Sequence, residues 1–189
     1  MPRNSRPSVS PAPARPAGSS RPSRTVRESQ LETSALMMPA DENARGHVFG
    51  GALLAMIDKA AAVCAIRHAR MPCVTVSVDR VDFREPILVG ELVHMKASVN
   101  FAGLTSMEIG IRVEAENMFA GTRRHTNSCY VTYVALDRDG RPAEVPTLIT
   151  ETADEKRRCA AAAERRRRRL EERDAERRLH GAVHKGVKP

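Results

Sequence analysis

The sequence predicts an α+β domain in which a curved antiparallel sheet of about five strands wraps around one long central helix. Three observations carry that expectation. Residues 47–66, HVFGGALLAMIDKAAAVCAI, form a nearly continuous apolar segment, interrupted once by Asp58-Lys59. After it the period changes to strict alternation in VTVSVD, 74–79, and to long alternating runs at 92–101, 107–119 and 122–136. The runs are separated by short turns, as antiparallel neighbours require. A helix that is apolar nearly all round has to be wrapped rather than covered on one side, and a curled sheet does this.

The elements follow in chain order. Residues 1–27 are Pro-, Ser- and Arg-rich with little to bury and read as a disordered basic arm. Residues 28–38 read as a first strand stopped by Pro39, and 40–46 as a polar loop. The apolar segment then forms a helix over about 50–70, with Arg67, His68 and Arg70 at its negative end and Pro72 beyond. Strands follow over 74–83, 92–101, 107–119 and 122–136, and DRDGRP closes the last of them. Residues 28–150 thus make one domain. Residues 151–189 are Ala-, Glu- and Arg-rich, with pairs such as Glu164–Arg168 and no sustained apolar stripe, and read as a solvated, partly helical or disordered tail.

Charge is divided along the same boundaries. The formal net charge is +8 over 189 residues. The arm carries six Arg and no acid, and the tail 13 Lys+Arg against 8 Asp+Glu, which leaves the domain at −3. The basic character therefore belongs to the two ends, and no nucleic-acid partner is expected of the whole. The Arg165–Arg169 run is read as part of a solvated helix rather than a phosphate contact. Residues 48–66 have the length of a membrane span, but Asp58 and Lys59 would each cost about 2.5–3.5 kcal/mol at its centre. No membrane span is expected, and no signal sequence is visible. Cys64, Cys73, Cys129 and Cys159 show no metal spacing and read as reduced thiols of a cytoplasmic protein.

Asp58 is the main chemical candidate. On a helix it shares a side with Gly51, Leu54, Ala55, Ala61, Ala62 and Ala65, a small apolar wall that would desolvate the carboxylate and make it a base. The other reading is a partly exposed flank with Asp58 paired to Lys59 or another cation. Gly50 and Gly51 begin the helix, where free N–H groups at the positive end of the dipole would stabilise an oxyanion, or where glycine simply allows close packing. Asn43 in the preceding loop would orient water or a carbonyl, or would form a turn. Together the three features suit acyl transfer to water.

The run NARGHVFGGALLAMID, 43–58, resembles the signature of the hotdog-fold acyl-CoA thioesterases, the acyl-CoA hydrolase branch. The likeness continues through VTVSVD, FREPILVG at 83–90, GLTSME at 103–108 and YVTYVALD at 130–137, in order, across residues 28–148. The resemblance implies a hotdog fold and hydrolysis of fatty acyl-CoA to free fatty acid and CoA. It assigns Asp58 as general base or nucleophile, Asn43 as its partner on water or carbonyl, and an N–H of Gly50 or Gly51 as oxyanion donor. It matches Val76, Ser77 and Val78 to a strand lining the CoA groove, and Gly103, Thr105, Ser106 and Met107 to a turn contacting CoA. No metal and no cofactor are implied, coenzyme A being part of the substrate. The family's sites form across a dimer, with Asn and Asp from different protomers, and its dimers pack into trimers of dimers. His47 lacks the flanking motif of the hotdog dehydratases, and His68, His94 and His125 read as structural. An acyl-CoA-binding module without activity, carrying regulatory basic tails, is the alternative.

Overall fold

The computed structural model describes residues 21–83 and 85–183, without the side chains of 179–183. Five strands form the main sheet: β2 (Leu31–Leu36), β3 (Cys73–Val78), β4 (Leu92–Ala102), β5 (Ser106–Asn117) and β6 (Thr122–Ala135). They lie in the order β2-β4-β5-β6-β3, with every neighbouring pair antiparallel. Helix α1 (Gly50–Ala69) crosses one face and touches all five strands. This is the expected hotdog arrangement. Among the described residues, no helix is long and apolar enough to cross a membrane.

The core follows from the alternation. Val93, Met95, Ala97 and Val99 of β4, Ile109, Ile111 and Val113 of β5, and Cys129, Val131 and Tyr133 of β6 all turn toward α1. They meet Leu53, Ile57, Ala60, Ala61, Cys64 and Ala65. Burying a residue such as Ile57 contributes about 1.5–3 kcal/mol. The small residues between let helix and sheet approach closely. Burial pushes the Cys64 thiol up to about 12, so it stays a protonated core group. Helix α1 ends where Arg70 turns left-handed (φ 57°) and its N–H bonds back to the Ile66 carbonyl.

Four expectations need correction. The helix is not wrapped within one chain, because β3 is an edge strand and the sheet ends there. Leu54, Val63 and Ile66 on α1, and Val74, Val76 and Val78 on β3, stay exposed. The β3 ladder stops at Val78, and residues 79–83 run outside it.

The expected disordered arm is ordered from residue 21. Strand β1 (Ser23–Thr25) pairs in parallel with β7 (Thr147–Ile149), Val26 is buried, and Arg21 donates to the Gly103 and Val145 carbonyls. Its neighbours in sequence gave no apolar pattern to reveal this, because the segment is held by backbone pairing. Residues 1–20 of the arm lie outside the described residues.

The charged tail, whose residues 184–189 lie outside the described residues, contains one helix, α2 (Ala153–Val183), about 46 Å long. Its first half docks on the sheet face opposite α1. Glu108 of β5, 2% exposed, receives Arg165 at 2.6 Å and Arg169 at 2.8 Å, and Arg169 also reaches Asp79 at 2.6 Å. The Arg165 guanidinium lies 3.6 Å from the Tyr130 ring centroid. The arginine run expected to be solvated is therefore half docked, through charge rather than an apolar stripe. Residues 171–178 are exposed.

Candidate active site

The loop before α1 is built by Asn43. Its Oδ1 accepts from the N–H groups of Arg45 at 2.8 Å and His47 at 3.3 Å, and its own N–H donates to the His47 carbonyl. The turn-forming reading of Asn43 is thus realised, and its amide nitrogen has no partner among the described residues. The loop is fixed from outside as well. Val48 donates to the Ile87 carbonyl and Phe49 to that of Asp41.

Asn43, His47 and Gly50 share a cleft of about 370 Å³ with Leu53, Phe83 and Ile87. The first bond inside α1 runs from Leu53 N–H to the Phe49 carbonyl, so the N–H groups of Gly50, Gly51 and Ala52 stand outside the ladder. Phe49, at the N-cap, offers no side-chain acceptor to satisfy them. The Phe83 ring lies where a Gly50 side chain would make ordinary contact, 3.5 Å away. A side chain at Gly51 would run into the Phe49 ring, which would have to swing aside. The pair thus begins the helix with N–H groups outside the ladder, and the groups a side chain there would meet are the Phe83 and Phe49 rings rather than the sheet.

Asp58 stands apart from this cleft. It lies eight residues along α1 from Gly50, about 12 Å by helix rise. It faces the β6–β3 end of the sheet. Thr75 and Tyr133 are register partners on those strands, and both hydroxyls donate to Asp58 Oδ1 at 2.7 Å. The Tyr133 hydroxyl also lies 2.9 Å from the Asp58 backbone carbonyl. Tyr133 is buried, Asp58 half-buried, and Thr75 exposed. Burial and the neighbouring carboxylate raise the Tyr133 phenol well above its ordinary value, so it remains a donor. Asp58 makes no ion pair among the described residues. The expected dry wall is incomplete: Leu54 and Ala55 beside it are exposed, because none of the described residues covers that flank.

The remaining candidates lie on the strands and the turn next to Thr75 and Tyr133. Val76 sits at a break in the β3–β6 register and is 60% exposed on the free edge, followed by Ser77 and Val78. The β4–β5 turn closes through Gly103 N–H to the Ser106 carbonyl, and Thr105 accepts from Ala135 N–H. Met107 is buried opposite Tyr133 in the ladder. The structure thus makes two groupings, Asn43 with Gly50 and Asp58 with the β3 region. It does not bring them together in one chain. Thr75 and Tyr133 were missed from sequence. Their only signal was alternation on strands that face a helical carboxylate, which register alone reveals.

The Thioesterase superfamily model matches residues 45–118, from the end of the loop through α1, β3, β4 and all of β5. A Bacillus subtilis protein named as an uncharacterized acyl-CoA thioester hydrolase, YkhA, is 36% identical over 132 residues, 70% of this chain and 77% of that protein. The chain belongs to the hotdog-fold acyl-CoA thioesterases, a family of thioester hydrolases. An acyl-CoA hydrolase of Staphylococcus aureus, solved with butyryl-CoA and CoA, is 33% identical with a TM-score of 0.79 over 86% of this chain and 99% of that one. A structure described as a hexameric acyl-CoA thioesterase is 37% identical with a TM-score of 0.77, over 80% of this chain and 97% of that one. Three further forms of the S. aureus enzyme carry single alanine substitutions of an Asn, an Asp 15 residues later and a Thr 17 residues after that. Asn43, Asp58 and Thr75 have the same spacing here.

Proposed function

We propose that this protein hydrolyses fatty acyl-CoA to free fatty acid and CoA, at sites each assembled from two copies of the chain. One observation carries the reading: within one chain the Asn43–Gly50 cleft and the Asp58 carboxylate lie too far apart to act on one carbonyl. The free β3 edge, with Val74, Val76 and Val78 exposed beside Leu54 and Ile66 of α1, supplies an apolar surface for a second copy. Pairing there by a two-fold axis brings each Asp58 to the partner's cleft and completes its dry wall.

In that site the thioester carbonyl oxygen lies at the Gly50 and Gly51 N–H groups, with the amide nitrogen of Asn43 at the carbonyl or the water. Asp58 takes a proton from water. The water oxygen bonds to the carbonyl carbon, and negative charge develops on an oxygen facing N–H donors. The C–S bond then breaks, and the departing sulfur receives the proton from Asp58. Val76, Ser77 and Val78, with the turn of Gly103, Thr105, Ser106 and Met107, border the route for the CoA chain. Hexameric relatives support further packing of dimers into a trimer.

The test mixes two inactive variants. Asn43→Ala and Asp58→Ala homodimers each lack a complete site, whereas a heterodimer of the two has one intact site of its two. Co-refolded in equal amounts, they should regain about a quarter of wild-type CoA release from acyl-CoA. A mixture that stays at the level of its components places both residues in one chain's site and defeats the reading.

A further inference from the structure

The two oxygens of Asp58 are not equivalent. Thr75 and Tyr133 both donate to Oδ1, each at 2.7 Å, and Oδ2 has no hydrogen bond among the described residues. We infer that Tyr133 is a positioning residue for hydrolysis: together with Thr75 it pins Oδ1 and so assigns Oδ2 as the oxygen that meets water or substrate. This deepens the proposed reading of Asp58 and rests on it.

The geometry favours positioning over general packing. A carboxylate on a helix flank rotates about its last bond, exchanging its oxygens between two-fold wells. One donor leaves it free to pivot around a single contact. Two donors from adjacent strands, converging on one oxygen, fix both the plane and the choice of oxygen. The donors sit opposite each other in the β3–β6 register, so the sheet holds their spacing. The irregularity in that ladder begins immediately after Thr75, which leaves the Thr75–Tyr133 pair the last regular step before Val76.

The roles of the donors differ. Thr75 is exposed on the edge strand, whereas Tyr133 is 1% exposed and anchored in the core. Its ring packs in the core against α1, and its hydroxyl reaches Asp58. Phenylalanine would fill the same space without touching Asp58, so the hydroxyl is the part that packing does not explain. A buried hydroxyl needs a partner, and here the partner is the carboxylate, with the Asp58 backbone carbonyl at 2.9 Å as a second acceptor for the same proton. That proton therefore ties Oδ1 to the helix backbone as well as to the sheet. Oδ2 is left without a hydrogen bond among the described residues, on a half-buried side chain beside the exposed Leu54 and Ala55.

With Oδ2 as the reacting atom, the step balances as before. Oδ2 accepts the proton of water while oxygen bonds to the thioester carbon, and it returns that proton to the sulfur as C–S breaks. Oδ1 keeps its two donors throughout, so no hydrogen bond has to be rearranged during the transfer.

The experiment is steady-state acyl-CoA hydrolysis by Tyr133→Phe, Thr75→Val, Thr75→Ser and the Tyr133→Phe/Thr75→Val pair, beside Asp58→Ala. The phenylalanine keeps the core filled, and circular dichroism and thermal melts confirm the fold. Tyr133→Phe should lower kcat by about tenfold, the worth of one hydrogen bond to a charged group, and leave KM within about twofold. Thr75→Ser should retain the wild-type kcat that Thr75→Val loses. The double variant should lose less than the product of its two single effects, since removing either donor already frees the carboxylate to pivot. A folded Tyr133→Phe with wild-type kcat, or one that changes only KM, overturns this assignment when Asp58→Ala is inactive. An active Asp58→Ala overturns the reading of the site itself.

Discussion

The two helices lie on opposite faces of one sheet and are held by opposite means. Helix α1 is fixed by apolar burial and presents its single carboxylate to the sheet through two hydroxyls. Helix α2 is fixed by ion pairs and two cation–π contacts, with Ala162 the one fully buried apolar residue among its described side chains. The contrast separates chemistry from stability. Substitutions in the Asp58 cluster should change rate with little effect on folding, and substitutions beneath α2 should do the reverse.

The largest expected effect is on rate. Asp58→Ala removes the proposed base and should lower kcat by about 10²–10⁴-fold, with a melting temperature close to wild type because the side chain is half-exposed. CoA release followed with a thiol reagent reads the first, and a thermal melt the second. A folded Asp58→Ala with undiminished turnover would erase the distinction between the helices.

Next comes the reverse case. Arg165→Ala/Arg169→Ala leaves Glu108 buried without its cations. Breaking a buried pair in this way costs about 3–5 kcal/mol, which lowers the melting temperature by about 10 °C in a domain of this size. Activity per folded molecule should be unchanged, since both arginines act on the sheet face away from Asp58. A variant with normal melting and reduced kcat would show that α2 acts on the site.

What was legible in the sequence follows the same division. Helix α1 and strands β4, β5 and β6 are governed by burial, which writes itself as period 3.6 or 2 along the chain. They are found from alternation, as are Asn43, Gly50 and Asp58 from their motif. The docking of α2 depends on Arg165 and Arg169 meeting Glu108 some 60 residues away, and ion pairs carry no local period. Likewise β1 is held by backbone pairing to β7 and by Arg21 on two carbonyls, which side-chain pattern does not report. Tyr133 and Thr75 escaped notice because their role depends on register, and the Val76 irregularity shows how easily register shifts. The expected dry pocket around Asp58 failed for a different reason. Its missing wall is not supplied by the described residues of the chain.

A smaller effect tests whether the α1 side is free of electrostatic support. The loop facing the Asn43 cleft is held by Glu91, which pairs with Arg124 at 2.6 Å and accepts from Leu88 N–H, while Arg124 also bonds the Pro86 carbonyl. The hydrogen bonds from Arg124 hold the Glu91 carboxyl below its ordinary 4.5. A depressed folded value means that stability is fully present above 4.5 and is lost as pH falls below it toward the lower folded value. Thermal melts should be flat in this contribution from pH 8 to about 5 and decline below. Glu91→Gln should start lower at neutral pH and lose less on acidification. Equal acid sensitivity of variant and wild type would remove Glu91 as the cause.

The smallest effect divides α2 itself. Arg167 bridges Glu164 at 2.6 Å and Glu171 at 2.5 Å, contacts as short as those of Arg165, yet all three side chains are at least half exposed. In water such charges are already solvated, and ordering two long side chains offsets most of the Coulomb gain. Arg167→Ala should therefore leave both melting temperature and kcat at wild-type values. A drop comparable to that of Arg165→Ala/Arg169→Ala would mean that the outward face of α2 is covered in the assembled protein. Burial by a partner, not distance, would then be what distinguishes the two arginine sets.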